Sequence, residues 1–217
     1  MRKVITIDGP GASGKGTVAR IVARRLGMKY MDTGAMYRAF ALFATERGAD
    51  ESEAAALVGE AEISFEDTGD GNCAALLNGR DVSALIRTPE ISESASRLSR
   101  IPAVREALGR IQRAFGGNSS IVAEGRDMGT RVFADAGHKF FLTADERERA
   151  RRRTAELAAA GIRRSVGETL AEMASRDARD SKRSHSPLKP APDAVIIDTT
   201  HMSVDEVVEE ILSLVKG

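Results

Sequence analysis

The chain has 217 residues, and its 32 lysines and arginines balance its 32 aspartates and glutamates, so the formal net charge is +0 at pH 7. This length suits one α/β domain with insertions, and the balanced charge argues against a nucleic-acid-binding surface, which requires a basic excess. The single cysteine, Cys73, excludes an intrachain disulfide and a cysteine metal site.

Short apolar runs alternate with longer helical patterns, which is typical of a mostly parallel sheet covered by helices on both faces. No apolar run approaches the roughly 20 residues that span a bilayer, and Met1 leads into the first strand without a signal peptide. These features predict a cytoplasmic protein with no membrane partner. The predicted strands are 4–8, 28–31, 121–124, 139–143 and 194–198.

A glycine-rich loop follows the first predicted strand and opens a helical run. Glycines let backbone N–H groups turn inward around an anion, and the helix N-terminus adds a positive dipole end. Lys15 can reach the terminal phosphates, and Thr17 offers a hydroxyl to a phosphate-bound Mg²⁺. The motif predicts a nucleoside triphosphate site rather than a plain turn. Its residues are Gly9, Pro10, Gly11, Ala12, Ser13, Gly14, Lys15, Gly16 and Thr17.

The second predicted strand leads into Asp32, Thr33 and Arg38. In an open α/β sheet, ligands gather beyond the carboxyl ends of the strands, so Thr33 and Arg38 would lie near the bound triphosphate. A helix capped by Asp32 or Thr33, with Arg38 in solvent, explains the same residues. Taken alone, the pattern favours this second interpretation.

Residues 60–88 predict a small antiparallel meander inserted in the α/β core. Ile63 begins an alternating run, 69–71 is a glycine-rich turn, 74–77 is a short strand, and the Asn-Gly pair at 78–79 is a hairpin signal. A helix is then predicted over 102–116. Its apolar face is formed by Val104, Leu108, Ile111 and Phe115.

The third predicted strand ends in Gly125, Arg126 and Asp127. Gly125 permits close approach of the backbone, and Arg126 emerges at the ligand-binding edge of the sheet. Neighbouring Arg and Asp residues usually form a weak surface pair. Gly129 on the other side of the pair, together with the buried strand before it, favours a site instead.

Arginines crowd the helix after the fourth predicted strand, which we expect to begin with a capping box formed by Thr143 and Glu146. A nucleic-acid patch is one explanation, but the chain has no tryptophan and few aromatic residues. A mobile lid over transferring phosphates also requires such charge density, with Gly161 as a hinge. The arginines are Arg147, Arg149, Arg151, Arg152 and Arg153, and Glu148 can pair with Arg152.

Arg176, Asp180 and Arg183 share one face of a later helix, with Arg179 alongside. A solvated, salt-bridged face is the ordinary explanation for this pattern. We expect a different face to dock on the core, through Leu170, Met173 and Ala174. A loop over 184–192 leads to the last strand, after which Ser203 and Glu206 predict a capping box. The histidines at 138, 185 and 201 lack ligand spacing, so we assign them no metal role.

Six segments, in this order and with these gaps, resemble the bacterial cytidylate kinase family from the first strand to the last helix. The Gly-Arg-Asp-Met-Gly-Thr block and the meander are the most specific of these features, and Gly16 after Lys15 is typical of nucleoside monophosphate kinases. The segments are 9–17, 32–38, 86–88, 104–108, 125–130 and 176–180.

The resemblance implies an α/β fold with a P-loop kinase core, in which helices flank a five-stranded parallel sheet, a small antiparallel insert and a short helical lid. The chain would form one kinase domain. Its core would be 1–37, 103–145 and 166–217, its monophosphate-binding insert 38–102, and its lid 146–165. A monomer is the default expectation.

The resemblance also implies transfer of the γ-phosphoryl group of ATP to CMP or dCMP, with Mg²⁺ bound mainly by phosphates, water and Thr17. The family pattern would place Arg38, Arg126 and Arg183 at the acceptor phosphate, Arg176 and Asp180 at the sugar hydroxyls with Thr33 close by, Ser96, Arg105 and Asp127 at the cytosine, and Lys15, Arg126, Arg149 and Arg153 among the catalytic groups.

The base-reading residues also make chemical sense, because a carboxylate suits the N4 amino group of cytosine and an arginine suits its acceptors. Three alternatives are a P-loop kinase for another monophosphate or a small metabolite, a GTP-dependent switch and a nucleic-acid-binding module. The switch requires an Asn-Lys-x-Asp guanine reader, which the sequence lacks.

Overall fold

The structure is a computed structural model that describes residues 3–68, 73–117, 119–183 and 186–216. Within these residues, five parallel strands form the main sheet, in the order β2-β6-β1-β7-β8. The strands of this sheet are β1 (Val4–Asp8), β2 (Lys29–Asp32), β6 (Ile121–Gly125), β7 (His138–Thr143) and β8 (Val195–Asp198). All five strand predictions are confirmed, with ends that move by no more than about one residue, which is within ordinary assignment error.

The strand register brings the carboxyl ends of three strands together. β1 and β6 run parallel with Asp8 opposite Gly125, and β2 and β6 run parallel with Asp32 opposite Glu124. In a parallel sheet this edge is where ligands bind. The sheet therefore gathers the polar residues that follow three separate apolar runs of the sequence.

Helices cover both faces of the main sheet, which explains why its central strands are continuous apolar runs. One face is covered by α1 (Lys15–Leu26) and α8 (Val204–Lys216), and the other by α2 (Thr33–Glu46) and α5 (Pro102–Gly116). The predicted apolar face of α5 is confirmed: Val104 and Leu108 are fully buried, while Ile111 and Phe115 pack against the same core.

The meander prediction is confirmed within the described residues. β3 (Ile63–Asp67), β4 (Cys73–Leu77) and β5 (Arg80–Asp81) form an antiparallel sheet. Asn78 and Gly79 both have positive φ, as a two-residue hairpin turn requires. The turn predicted at 69–71 lies outside the described residues. Two helices complete this region, α3 (Glu51–Leu57) and α4 (Pro89–Leu98).

Two helices follow β7, and their caps differ in part from prediction. α6 (Glu146–Ala159) is capped by Asp145, whose carboxylate accepts N–H bonds from Arg147 and Glu148. The predicted Thr143 box is therefore wrong: Asp145 lies closer to the first turn and offers a charged acceptor. α7 (Val166–Ser181) has a Ser165–Glu168 capping box that the sequence analysis missed.

The box predicted at Ser203 and Glu206 is confirmed by reciprocal bonds at the start of α8. Residues 186–192 form neither helix nor strand, as predicted, while 184 and 185 lie outside the described residues. Along the described ranges, every helix is too short or too polar to cross a membrane.

Candidate active site

The loop between β1 and α1 has the backbone geometry of an anion cradle. Gly9 has φ +152, and a Cβ at this position would lie 2.1 Å from the carbonyl oxygen of Leu142. Gly14, the N-cap of α1, has φ 86 and carries no side chain to cap the helix. The first N–H groups of α1 therefore remain available for an anion.

Lys15 lies buried at the base of this loop. Its ammonium group donates to the carbonyl of Pro10 at 3.2 Å and lies 3.8 Å from a carboxylate oxygen of Glu124. Burial and the nearby Arg126 together lower the pKa of Lys15 to about 8, against the opposing effect of Glu124. An anionic ligand would favour the charged form of this lysine.

Glu124 and Asp32 end neighbouring strands, and their carboxyl groups interact. Burial, followed by the charge of Asp32, raises the pKa of Glu124 to about 8. Burial also disfavours the charge on Asp32, but Arg38 and hydrogen bonding to Glu124 outweigh it and lower the pKa of Asp32. One carboxylate and one carboxylic acid thus stand beside Lys15.

The side-chain oxygens of Asp32, Glu124 and Thr17 suit a Mg²⁺ ion held mainly by its ligand better than a metal site closed by protein side chains. The described residues contain no cluster of three or more His, Cys, Asp or Glu side chains that could hold a metal. Thr17 is exposed and lines a cavity of about 480 Å³ together with Gly16, Tyr30 and Asp32. Mg²⁺ commonly binds through one or two carboxylates plus substrate phosphates and water, and this donor set suits that mode.

A second cavity, of about 380 Å³, lies at the carboxyl edge of the sheet, and we call it the acceptor cavity. Its lining comes from the phosphate loop, the start of α2, the residues after β6, and helices α4, α6 and α7. Residues predicted for the site that line it are Lys15, Thr33, Arg38, Ser96, Arg105, Arg126, Asp127, Arg153, Arg176, Asp180 and Arg183.

At the start of α2, both interpretations of the sequence are partly right. Asp32 caps the helix by accepting the N–H of Ala35 at 2.7 Å, as the simpler interpretation required. Arg38, however, lies 3.3 Å from Asp32 and lines the acceptor cavity instead of extending into solvent. The Thr33 hydroxyl donates to the carbonyl of Glu124 at 2.7 Å, and a Cβ on Gly125 would lie 2.7 Å from that hydroxyl.

Arg105 and Asp127 form a buried ion pair at one end of the acceptor cavity. Arg105 also donates to the carbonyl of Ser99 at 3.1 Å, and its guanidinium lies 5.7 Å from the ring centre of Tyr37. In the described part of the chain, the buried Ser96 hydroxyl has no hydrogen-bond partner. This end therefore presents a carboxylate, a guanidinium and an unsatisfied hydroxyl.

Asp180 joins two arginines that line the same cavity. It is 2% exposed, accepts from Arg126 at 3.2 Å and pairs with Arg183. Burial disfavours its charge, but these two arginines outweigh that effect and lower the pKa of Asp180. Arg176 is close by, and burial together with Arg126 lowers its pKa to about 10. Such concentrated positive charge suits a polyanionic ligand.

The solvated-face interpretation of α7 is therefore wrong, because the charged face turns into the cavity. Asp180 and Met173 are buried, whereas Ala174, which we expected to dock on the core, is exposed. Leu170 is half-buried. Charges can line an interior surface here because arginines and carboxylates on other elements compensate one another.

The arginines of α6 take different places. Arg149 is buried and donates to the carbonyl of Gly11 at 3.2 Å and to Asp177 at 2.6 Å. Arg153 lines the acceptor cavity and pairs with Glu156 at 3.1 Å. Arg152 makes the predicted pair with Glu148.

Asp8 and Tyr37 are two residues of the site that the sequence analysis missed. The Asp8 carboxylate accepts the N–H groups of Met128 and Gly129 at 2.9 and 2.8 Å. It thereby holds the π-helical turn Met128–Val132 that directly follows Arg126 and Asp127. Burial raises the pKa of Asp8 to about 6. For Asp8, the available signal was an acidic residue at the end of a mostly apolar strand. Tyr37 gave no signal beyond the motif in which it lies.

The strand-loop-helix phosphate cradle with its buried lysine, opening towards an arginine-lined acceptor cavity, defines a P-loop kinase. Solved structures support this fold. An uncharacterised protein from Eubacterium ventriosum matches at a TM-score of 0.53 and 14% identity, covering 100% of this chain and 99% of that one. Shikimate kinase from Bacteroides thetaiotaomicron matches at a TM-score of 0.50 and 13% identity, covering 99% of both chains.

Sequence comparison identifies the family within this class. A sequence model of the cytidylate kinase family matches residues 5–217. The chain is 48% identical to the cytidylate kinase of Syntrophotalea carbinolica, over 98% of this chain and 91% of that protein. It is 47% identical to the cytidylate kinase of Pseudomonas savastanoi, over 97% and 93% respectively. The chain belongs to the cytidylate kinase family.

Proposed function

We propose that this chain transfers the γ-phosphoryl group of ATP to the phosphate of CMP or dCMP, giving ADP and the corresponding diphosphate. The observation that carries this proposal is the end of the acceptor cavity where Arg105, Asp127 and the unpaired Ser96 hydroxyl converge. The membership of the chain in the cytidylate kinase family agrees with it.

The base is read by complementary hydrogen bonding. Asp127 accepts from the N4 amino group of cytosine, while Arg105 and Ser96 donate to its ring nitrogen and carbonyl. Uracil would present a carbonyl to Asp127 in place of the amino group. A site built to pair one group rejects an analogue that leaves its buried partners unsatisfied, which explains why a buried pair suits this task.

The acceptor phosphate is held by Arg38, Arg126 and Arg183, which line the same cavity. Arg176 and Asp180 contact the sugar hydroxyls, with Thr33 close by. Because Asp180 binds Arg126 and Arg183, its carboxylate also orients two of the phosphate-binding arginines. Preorganised charges of this kind need little rearrangement during the reaction.

The donor triphosphate lies in the loop of residues 9–17, with its terminal phosphates against Lys15. No general base is needed, because the acceptor phosphate is already an anionic nucleophile; catalysis is alignment and charge neutralisation. Lys15, Arg126, Arg149 and Arg153 stabilise the transferring group. Arg149 would exchange its bonds to Gly11 and Asp177 for phosphate oxygens when the lid closes.

Mg²⁺ would be held by the phosphates and water, with Thr17 as the predicted protein ligand and the Asp32–Glu124 pair nearby. When bound, it would supply positive charge that offsets the negative charge developing on the donor phosphates. We further propose that 38–102 and 146–165 are the acceptor-binding insert and the lid of a single domain, with Gly161, at φ +80, as a hinge. We also propose that the enzyme is monomeric and cytoplasmic.

The test is ADP release with ATP and Mg²⁺ against CMP, dCMP, UMP, AMP, GMP and dTMP in parallel. We expect strong turnover with CMP and dCMP and weak turnover with the others. Preference for another monophosphate would retain the kinase and overturn the roles of Ser96, Arg105 and Asp127. If none of the six is phosphorylated, the proposal fails and small metabolites become the acceptors to examine.

A further inference from the structure

Helices α4 and α7 form two walls of the acceptor cavity. α4 contributes Ser92 and Ser96, and α7 contributes Arg176 and Asp180. α4 lies in the segment proposed as the acceptor-binding insert, whereas α7 follows the lid and belongs to the proposed core. The distance between these walls therefore determines whether a nucleotide can touch both at once.

An ion pair joins the two helices beside the cavity without lining it. Arg179 on α7 donates one N–H to each carboxylate oxygen of Glu93 on α4, at 2.6 and 3.1 Å. Two parallel bonds fix orientation as well as distance, which a single contact does not. The hydrogen bond from Arg179 is the main cause that lowers the pKa of Glu93. The glutamate is therefore charged at neutral pH.

A second bond in the same place supports the bridge. Arg183, two residues beyond the end of α7, donates to the Ser99 hydroxyl at 2.8 Å, and Ser99 in turn donates to the carbonyl of Ser96 at 2.8 Å. Ser99 ends α4 as its C-cap. The pair formed by Glu93 and Arg179 thus lies two helical turns from a contact that continues directly to the base-reading end of the cavity.

We propose that Glu93 and Arg179 are positioning residues that hold α4 and α7 at the separation required for CMP binding. This inference rests on the proposed function, because it assumes that CMP occupies the acceptor cavity. It concerns residues that do not touch the nucleotide. If the ion pair had no positioning role, its removal would leave substrate binding unchanged, as for most exposed ion pairs.

The same helix offers a matched control. Arg97 on α4 pairs with Glu51 on α3 at 3.0 Å. This pair is more exposed than the Glu93–Arg179 pair. Both of its residues lie within 38–102, so it does not cross between the two walls. Replacing it tests the loss of an ion pair on α4 while both hydrogen bonds from Arg179 to Glu93 remain in place.

The experiment measures KM for CMP, KM for ATP and kcat in the variants Glu93→Gln, Arg179→Gln, their combination, and the controls Glu51→Gln and Arg97→Gln. Each bridge variant should raise KM for CMP about two- to fivefold, the range expected for a partly exposed ion pair. KM for ATP and kcat should stay within about 1.5-fold of wild type, which is less than the change expected in KM for CMP. The combined variant should be no worse than either single variant, because both remove one interaction.

Hydrogen exchange of the ligand-free protein provides a readout that needs no substrate. Backbone amides of α4 should exchange faster in Glu93→Gln and Arg179→Gln than in wild type, and not in the controls. Unchanged KM for CMP, an equal rise in the controls, or additive effects in the combined variant would each overturn the positioning role. If neither the wild-type protein nor any variant phosphorylates CMP, the proposed function fails. The hydrogen-exchange result then decides by itself whether the Glu93–Arg179 pair holds α4 in place.

Discussion

The phosphate loop and the acceptor cavity are built on opposite principles. The loop is nine consecutive residues whose backbone does the binding, and its geometry depends on positions such as Gly9, where a Cβ would meet the Leu142 carbonyl. The acceptor cavity gathers side chains from α2, α4, the end of β6 and α7. It stays together because its charges pair with one another, as Asp180 does with Arg126 and Arg183. A site formed by consecutive residues can be recognised in the sequence as a motif, whereas a site formed by residues from several elements depends on the whole fold.

The largest effect should come from removing the one charged side chain of the phosphate loop. Lys15→Ala should lower kcat by about 10²–10³-fold, the loss typical of one preorganised donor to a developing charge. Steady-state ADP release measures it, and thermal unfolding checks that the fold is intact. Lys29→Ala, at an exposed position, is the control. Near-normal turnover of Lys15→Ala would mean that the phosphate loop binds the donor triphosphate without contributing to catalysis through Lys15, which contradicts the role proposed for the loop.

Asp8 connects the two regions, because it ends β1 just before the loop and holds Met128 and Gly129 beside the acceptor residues. Its pKa rises from 3.8 to about 6 on burial. A raised acid pKa means that the stability contributed by Asp8 is complete below pH 3.8 and is lost as the pH rises through 6. Asp8→Asn cannot titrate, so its stability relative to wild type should increase by about 2 kcal/mol between pH 4 and pH 7.5.

Urea unfolding of both proteins at the two pH values measures this change. Other titrating groups affect both proteins equally and cancel in the difference. A difference that stays constant with pH would mean that the Asp8 carboxylate is fully compensated by its two N–H donors, and that the link between the regions carries no electrostatic strain.

The fold was predictable because its signals are local. Apolar runs such as 121–124 are bounded by polar turns, so burial and strand ends coincide. The cavity was less predictable. Helical periodicity predicts that Arg176 and Asp180 share a face with Arg183, which in the structure lies just beyond the end of α7, but it does not predict that this face turns inward. That outcome depends on Arg126, which comes from a distant strand end. The substrate-binding roles of these residues came from the family resemblance, and they remain predictions until the variants are measured.

Removing the carboxylate that is proposed to read the base should produce an intermediate effect. Asp127→Asn should lower kcat/KM for CMP by about 10–100-fold, the loss of one charge-assisted hydrogen bond. It should also narrow the preference for CMP over UMP, because an amide can donate to the uracil carbonyl. KM for ATP should not change. The control is Asp193→Asn, which removes an ion pair with Lys139 away from the cavity.

Competition between CMP and UMP in one reaction gives the selectivity directly. If KM for ATP rises as much as KM for CMP, Asp127 acts on both substrates and the two regions are not independent. Because Asp127 is paired with the buried Arg105, unfolding of the variant must be followed too, since an unpaired buried arginine is destabilising.

The smallest effect concerns the start of α6, where a local pattern was read wrongly. Asp145→Ala should destabilise the protein by about 1 kcal/mol, the usual cost of losing an N-cap, because Asp145 accepts from Arg147 and Glu148 at 2.9 and 3.2 Å. Thr143→Val should cost much less, and urea unfolding measures both. Equal losses would restore the Thr143 box. A larger loss for Asp145→Ala than for Thr143→Val would show that the Thr143 motif fails because a neighbouring residue can cap the helix instead. At Gly9, by contrast, a side chain would meet the Leu142 carbonyl, so no other residue can replace the glycine.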